Sequence, residues 1–315
     1  MGSALDWRLL VLYAGTVLWT TAIATFPAWR VMASVFDESP RAQEFAATFD
    51  ALAMQDLGMA LVRSGAPVTG GFALGTLFAA VSWPFLAAMA MGAARGERPR
   101  TFAELLEGGI AYYVRMLRIG LVAIVPLAII GAVSGGAFRG ARHLARRAIL
   151  ESEATLGWRI ATVVALLVFV LIHATVEAGR AQYGADDELR SGWSAWLRGV
   201  RLVGRDPLGT MGAYLGSTLA SYAVAVPLLI LRLRISGPSG AALVVGFVLT
   251  QLAVAALGWG RATRLFALTA MARSHAAKAV APSAPAEDAR EEGYTAASGS
   301  MFRELGPRKP VARRG

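Results

Sequence analysis

The chain has no cysteine among its 315 residues, which excludes disulfides, thiolate metal ligands and a cysteine nucleophile. Histidine is scarce, with 3 copies, and lysine occurs only as Lys278 and Lys309. Charged residues amount to 17%, against about 25% in an ordinary soluble domain. There is no P-loop, dinucleotide fingerprint, HExxH pair or aspartate-rich prenyl-diphosphate motif. Nucleotide-driven transport, dinucleotide chemistry and a helix-borne zinc site therefore have no support, and no cofactor or metal is expected. What charge there is comes mostly from arginine: 31 basic residues against 21 acidic ones leave a net charge of +10. In so apolar a chain this excess points to anionic lipid headgroups, and no nucleic-acid-binding motif is present. Heavy use of Ala, Arg and Gly with almost no Lys points to a GC-rich bacterial source.

Hydrophobic residues make up 56% of the chain, and mean hydropathy is +0.51. They gather into runs at 9–27, 68–94, 119–138, 160–177, 208–231 and 241–260. Each run is close to the ~20 residues that cross a bilayer. The sequence predicts an all-α polytopic membrane helical bundle with six transmembrane helices. The first run follows a neutral segment carrying Asp6 and Arg8, so it reads as a retained span and not a signal peptide. Residues 30–67 read as a long loop. Within it Phe45, Phe49, Leu52 and Met59 share a helical face, with Glu44 and Asp50 elsewhere and Asp56 interrupting the face, which predicts an amphipathic surface helix. Gly71/Gly75, Gly131/Gly135 and Gly212/Gly216 are pairs four apart, each a candidate close-packing face. Trp83-Pro84 predicts a kink. The segment 139–159, with Arg142, His143, Arg146 and Arg147 facing Glu151 and Glu153, reads as a basic loop. Residues 1–273 form the membrane domain; 274–315, rich in Ala, Pro, Ser, Gly, Glu and Arg, read as a disordered cytoplasmic tail.

Two arginine-bearing stretches, 102–121 and 192–208, lead into the third and fifth runs. Aligned on Arg115/Arg118 and Arg198/Arg201, they match Gly109 to Gly192 and Tyr113 to Trp196. Both read as interfacial amphipathic helices, and Tyr112, Tyr113, Trp193 and Trp196 fit an interfacial aromatic belt. The even runs end alike, in Ala94-Arg95, Gly179-Arg180 and Gly260-Arg261. Together these features predict three repeated hairpins. With the N-terminus inside, fifteen Lys and Arg residues flank the inner helix ends and ten the outer ends, which favours cytoplasmic N- and C-termini in a bacterial inner membrane.

Candidate chemistry is sparse. His173, Glu177 and Arg180 lie at i, i+4 and i+7 on one face of the fourth run, and ionisable groups in a span usually face a bundle interior or water. They read either as a relay or lipid-headgroup contact, or as a Glu177–Arg180 pair at the cytoplasmic boundary beside a neutral His173. Gln251 is the polar residue of the sixth run, an interhelical hydrogen-bonding group. Arg95, Arg115, Arg118, Arg198, Arg201 and Arg261 are the candidate headgroup or partner contacts. The string Gly237-Pro238-Ser239-Gly240 matches four letters around the rhomboid-protease nucleophile. That chemistry needs a later histidine, and only His275, beyond the last run, follows; the string reads as a turn. Pro27, Pro126 and Pro227 echo the spacing of mitochondrial carriers, but the residues two positions on are Trp29, Ala128 and Leu229 where carriers need an acid.

The second-run exit, the stretch GGIAYYVRMLRIGL at 108–121 and the stretch EAGRAQYGADDELRSGWSAWLRGVRLVGRDP at 177–207 resemble a group of bacterial six-span proteins similar to the membrane domain associated with glycerophosphoryl diester phosphodiesterases. The resemblance covers about residues 8–271. It implies a helical integral membrane protein and no activity, and it carries over no functional residue. The leading expectation is a non-catalytic scaffold or lipid- or partner-interacting membrane module. The alternative is a transporter for a small solute or lipid, and a lipid-acting enzyme comes third.

Overall fold

The computed structural model describes residues 6–36, 51–95, 100–235 and 239–280. Among them the chain is helical with no strand: α1 Trp7–Phe36, α2 Ala51–Arg63, α3 Gly65–Ala94, α4 Phe102–Val122, α5 Ile124–Arg147, α6 Glu151–Ala185, α7 Gly192–Arg205, α8 Pro207–Arg234 and α9 Gly240–Val280. Six stretches are long and apolar enough to cross a membrane, with α4 and α5 together making the third. The chain divides into two units, Met1–Arg273 and Ser274–Gly315. Of the second, residues 274–280 are described and are helical; the predicted tail otherwise lies outside the described residues. Phe45, Phe49, Gly237 and Pro238 also lie outside them, and Met59 on α2 is exposed.

The helices outrun the apolar runs that announce them. The predicted loop at 139–159 is almost entirely helix, with only residues 148–150 linking α5 to α6. No Pro or helix-ending Gly interrupts either side; of the charges that suggested a loop, Arg142 and His143 lie within α5 and the rest sit at helix ends. Arg146 and Arg147 occupy the last turn of α5, while Glu151 and Glu153 occupy the first turn of α6, each complementing a helix dipole. The α4–α5 break falls at Ala123, where Pro126 offers no N–H to the Val122 carbonyl. Thr101 and Glu104 form a capping box that starts α4; Ser191 caps α7; Asp206 caps α8 with Pro207 at its first position. Set cap on cap, Gly109 falls opposite Gly199 and not Gly192. Both of these glycines press on the preceding span, Gly109 on Phe85 and Met89, Gly199 on Thr175 and Gly179. So α4 lies lengthwise against α3, its Tyr113 hydroxyl donating to the Val81 carbonyl at 3.2 Å.

The radial order of residues is that of a protein in oil. Small residues are buried where helices meet: Ala88, Ala93, Ala174, Ala178, Ala181 and Ala195 are at most 2% exposed. Large apolar ones face outward, as in the α4 stripe Phe102, Leu106, Ile110 and Val114. Water would penalise such a surface; lipid does not, and small residues let backbones approach. Of the three glycine pairs, only Gly71/Gly75 is used as predicted. A Cβ at Gly71 would lie 2.6 Å from Pro27 Cγ, and one at Gly75 2.9 Å from Ala24 Cα. Gly131, Gly212 and Gly216 would meet nothing within 4 Å, and Gly135 only the Arg139 side chain. Gly75→Leu is therefore expected to destabilise by about 1–3 kcal/mol, because the obstacle is backbone. Gly212→Ala, on an open face, is expected to stabilise by up to about 1 kcal/mol. Midpoints of SDS or thermal unfolding in detergent check both.

Candidate functional site

Glu177 is the single acidic residue within the six apolar runs, and its side chain is 2% exposed. Helical spacing puts His173 and Arg180 on its face of α6, and Arg261 and Arg264, three apart on α9, come to the same point. Arg180 Nη1 donates to Glu177 Oε1 at 2.5 Å. Arg264 Nη2 and Arg261 Nη2 approach the same oxygen at 3.8 and 3.9 Å, and His173 Nε2 stands 3.8 Å away. Two glycines just before Arg261 let α9 come this close. A Cβ at Gly258 would strike the Tyr13 ring of α1, and one at Gly260 would lie 2.5 Å from Ser221 Oγ of α8.

A second ring of groups holds the charges. Arg261 lies over the Trp83 ring, 3.7 Å from its centroid, and Arg264 over Tyr214 at 4.9 Å. Arg264 Nη1 donates to Thr218 Oγ1 at 3.1 Å. His173 stacks on Phe169 at 5.2 Å, and its Nδ1 is 2.8 Å from the Tyr214 hydroxyl. Spans one, two, four, five and six thus meet around one carboxylate. The charges do not balance: three guanidinium groups share one carboxylate among the described residues, and the buried Arg264 Nε has no partner. Buried charge is costly unless paired, so Glu177 holds the cluster together and still leaves it cationic.

Two spaces adjoin the cluster. A small chamber of about 30 Å³, room for about two waters, is lined by Tyr13, Ala87, Glu177, Arg180 and Arg261 among others. A cleft of about 500 Å³ between α3, α4 and α5 is lined by Ala80, Trp83, Leu117, Gly120, Ile124 and further apolar side chains, together with Arg180 of α6. Ala87 and Arg180 belong to both spaces.

The connector between α6 and α7 is a second charged assembly. Arg95 pairs with Asp187, donates to the Tyr183 carbonyl at 2.9 Å and lies over Tyr112. Arg115 reaches the same Asp187 oxygen at 3.7 Å; Arg118 donates to the Arg190 carbonyl at 3.1 Å; Arg198 pairs with Asp186 at 2.6 Å. The Arg198 hydrogen bond holds the Asp186 carboxyl below the usual carboxylate range of about 3.9. A depressed folded value means the contact stabilises above that range and is lost as pH falls through the folded value. Protection of residues 186–191 against hydrogen exchange, relative to the intrinsic rate at the same pH, is expected to fall below about pH 4. Asp187 is 68% exposed, so Asp187→Asn is expected to cost under about 1 kcal/mol while loosening the same segment.

The structure brings His173, Glu177 and Arg180 together, as the helical spacing requires. Gln251 is not with them; it lies about 15 Å along α9 from Arg261, ten residues at 1.5 Å each. Of the arginines read as headgroup contacts, Arg95, Arg115, Arg118 and Arg198 clamp the connector, and Arg261 belongs to the interior cluster. Arg201 is exposed and unpaired among the described residues. Arg264, Tyr214, Trp83 and Tyr13 were not legible as site residues, nor were Asp186 and Asp187 as arginine partners. The one available signal was the i, i+3 pair Arg261/Arg264 carried on from an apolar run. No family model matches the chain, and no curated protein or solved structure matches it.

Proposed function

We propose that the protein is a non-catalytic multi-pass module of a bacterial inner membrane, with both termini cytoplasmic, that engages anionic lipid headgroups or a membrane-protein partner. The observation that supports this most directly is the surplus of positive charge around Glu177. Three arginines converge on Glu177, and Arg201, three residues after the clamp residue Arg198, is exposed and unpaired among the described residues. An inner leaflet rich in anionic lipid attracts such an end by about 1 kcal/mol per surface cation. On this reading the six spans are three repeated hairpins, and α4 and α7, each capped and each pressing a glycine on the span before it, are the repeated helices that follow spans two and four. The likeness to the phosphodiesterase-associated membrane domain would then concern the spans alone. Mass spectrometry of lipid and protein that co-purify in mild non-ionic detergent tests the proposal. Enrichment of anionic phospholipid over its share of the membrane, or a stoichiometric partner, is the expected result. Bulk lipid composition with no partner would refute it.

A permease for a small anionic solute or lipid is the second reading, favoured by a cationic cluster standing within spans. His173 wedged between Phe169 and Tyr214, and Gln251 remote from the cluster, weigh for the first. Counterflow in proteoliposomes separates the two.

A further inference from the structure

We infer that Arg180 and Arg261 hold the phosphate of an anionic phospholipid whose acyl chain lies in the cleft between α3, α4 and α5. The inference rests on the lipid-engaging reading above and gives it a site. Four observations lead to it. The cluster carries two guanidinium charges beyond what Glu177 neutralises among the described residues. Arg261 makes its ring contact with Trp83 and stands 3.9 Å from Glu177 Oε1, but has no hydrogen-bonded acceptor among the described residues, so its donors can take an oxyanion. The buried Arg264 Nε is likewise unpartnered and adds to the local field. Finally, Arg180 is the one charged residue lining a cleft of about 500 Å³, within the range of about 300–1,000 Å³ typical of ligand sites.

The cleft has the chemistry of a chain and not of a second polar group. Apart from Thr76 and Arg180 its walls are apolar: Ala79, Trp83, Leu117, Leu121, Ile124 and Leu127 are representative. Its rim residues Leu121, Ile124 and Leu127 are 47–60% exposed on the outer surface of the bundle, so the cleft opens sideways, where lipid stands. Arg180 lies five residues before the end of α6 at Ala185, about 8 Å below the polar connector. A phosphate drawn to that depth stays within reach of the headgroup region while its chain follows the cleft toward the membrane interior. Planar, multi-donor guanidinium groups suit phosphate oxygens better than a point charge would.

Phosphate chemistry is shared by a lipid headgroup and by free inorganic phosphate, and the test separates them. Full-length protein in non-ionic detergent is titrated with phosphatidylglycerol, with phosphatidylcholine of the same chains, or with inorganic phosphate, and thermal unfolding is followed. Phosphatidylglycerol alone is expected to raise the Tm by roughly 5 °C. The shift should vanish in Arg180→Gln and Arg261→Gln and persist in Arg201→Gln. Because the buried variants risk misfolding, Gly120→Phe provides an independent arm. A Cβ there meets nothing within 4 Å, so a ring fills the cleft without touching the charges, and it should abolish the lipid shift in a folded protein. An equal shift with phosphatidylcholine, a shift reproduced by inorganic phosphate, or a phosphatidylglycerol shift intact in Gly120→Phe would each overturn the site. If the shift survives in all site variants and disappears in Arg201→Gln, the lipid-engaging reading stands and this location falls. No preference for phosphatidylglycerol in the wild type removes both.

Discussion

Glu177→Gln is expected to lower stability by about 3–5 kcal/mol, the largest loss from any isosteric change in the chain. The substitution keeps the shape, removes the charge and replaces one acceptor oxygen by a donor NH2. Three guanidinium groups then face one another across a space with no counter-ion among the described residues. Arg180→Gln should cost less, because Glu177 still has Arg261 and Arg264 near it. Glu177→Gln combined with Arg264→Gln should recover part of the loss, since one uncompensated cation is gone. Unfolding in graded SDS, or thermal unfolding in detergent, ranks the three. A Glu177→Gln protein as stable as the wild type would mean that the carboxylate is not what holds these helices. Asp187 also faces two arginines, but its carboxylate is exposed, and hence the expected effect of its substitution is small.

Gly199→Leu is the second large expectation, a loss of about 3 kcal/mol or more with separation of α7 from α6. A Cβ at Gly199 would lie 2.6 Å from the Thr175 carbonyl oxygen and 2.7 Å from Gly179 Cα. Both obstacles are backbone, so no side-chain rotation relieves the clash. Moving α7 away also breaks the Trp196 Nε1 hydrogen bond to Thr175 Oγ1, 3.0 Å long. Gly204→Ala on the same helix meets nothing within 4 Å and serves as the control, expected to be neutral or stabilising by up to about 1 kcal/mol. Equal behaviour of the two variants, by unfolding midpoint and by protease sensitivity at residues 186–192, would contradict the packing described.

The all-α class and the six spans were legible because a bilayer imposes length and apolarity on each crossing separately. The His173–Glu177–Arg180 face was legible for a similar reason, since helical periodicity alone puts three residues together. What α9 contributes was not, because bringing Arg261 and Arg264 to Glu177 depends on how distant helices dock. Local sequence made those two arginines look like an ordinary helix exit. Gln251 attracted notice as an isolated polar group, yet its place on α9 sets it about two and three-quarter turns from Arg261. The 139–159 segment misled through charge density; the charges at its middle belong to two helix ends facing each other. The connector arginines were visible as a set, but their partners Asp186 and Asp187 lie in a link whose path no periodicity dictates. Matching arginines between α4 and α7 also gave a different register from the one set by the caps at Thr101 and Ser191.

The absence of cysteine makes the decisive measurement simple. Single cysteines placed at Ile149, 95% exposed in the α5–α6 link, and at Arg201, exposed on α7, are treated in intact cells with a membrane-impermeant maleimide. The account predicts labelling at 149 from outside and at 201 only after the membrane is permeabilised. Labelling of both from the same side, or of 201 alone in intact cells, would contradict a bundle whose arginine-rich end faces the cytoplasm.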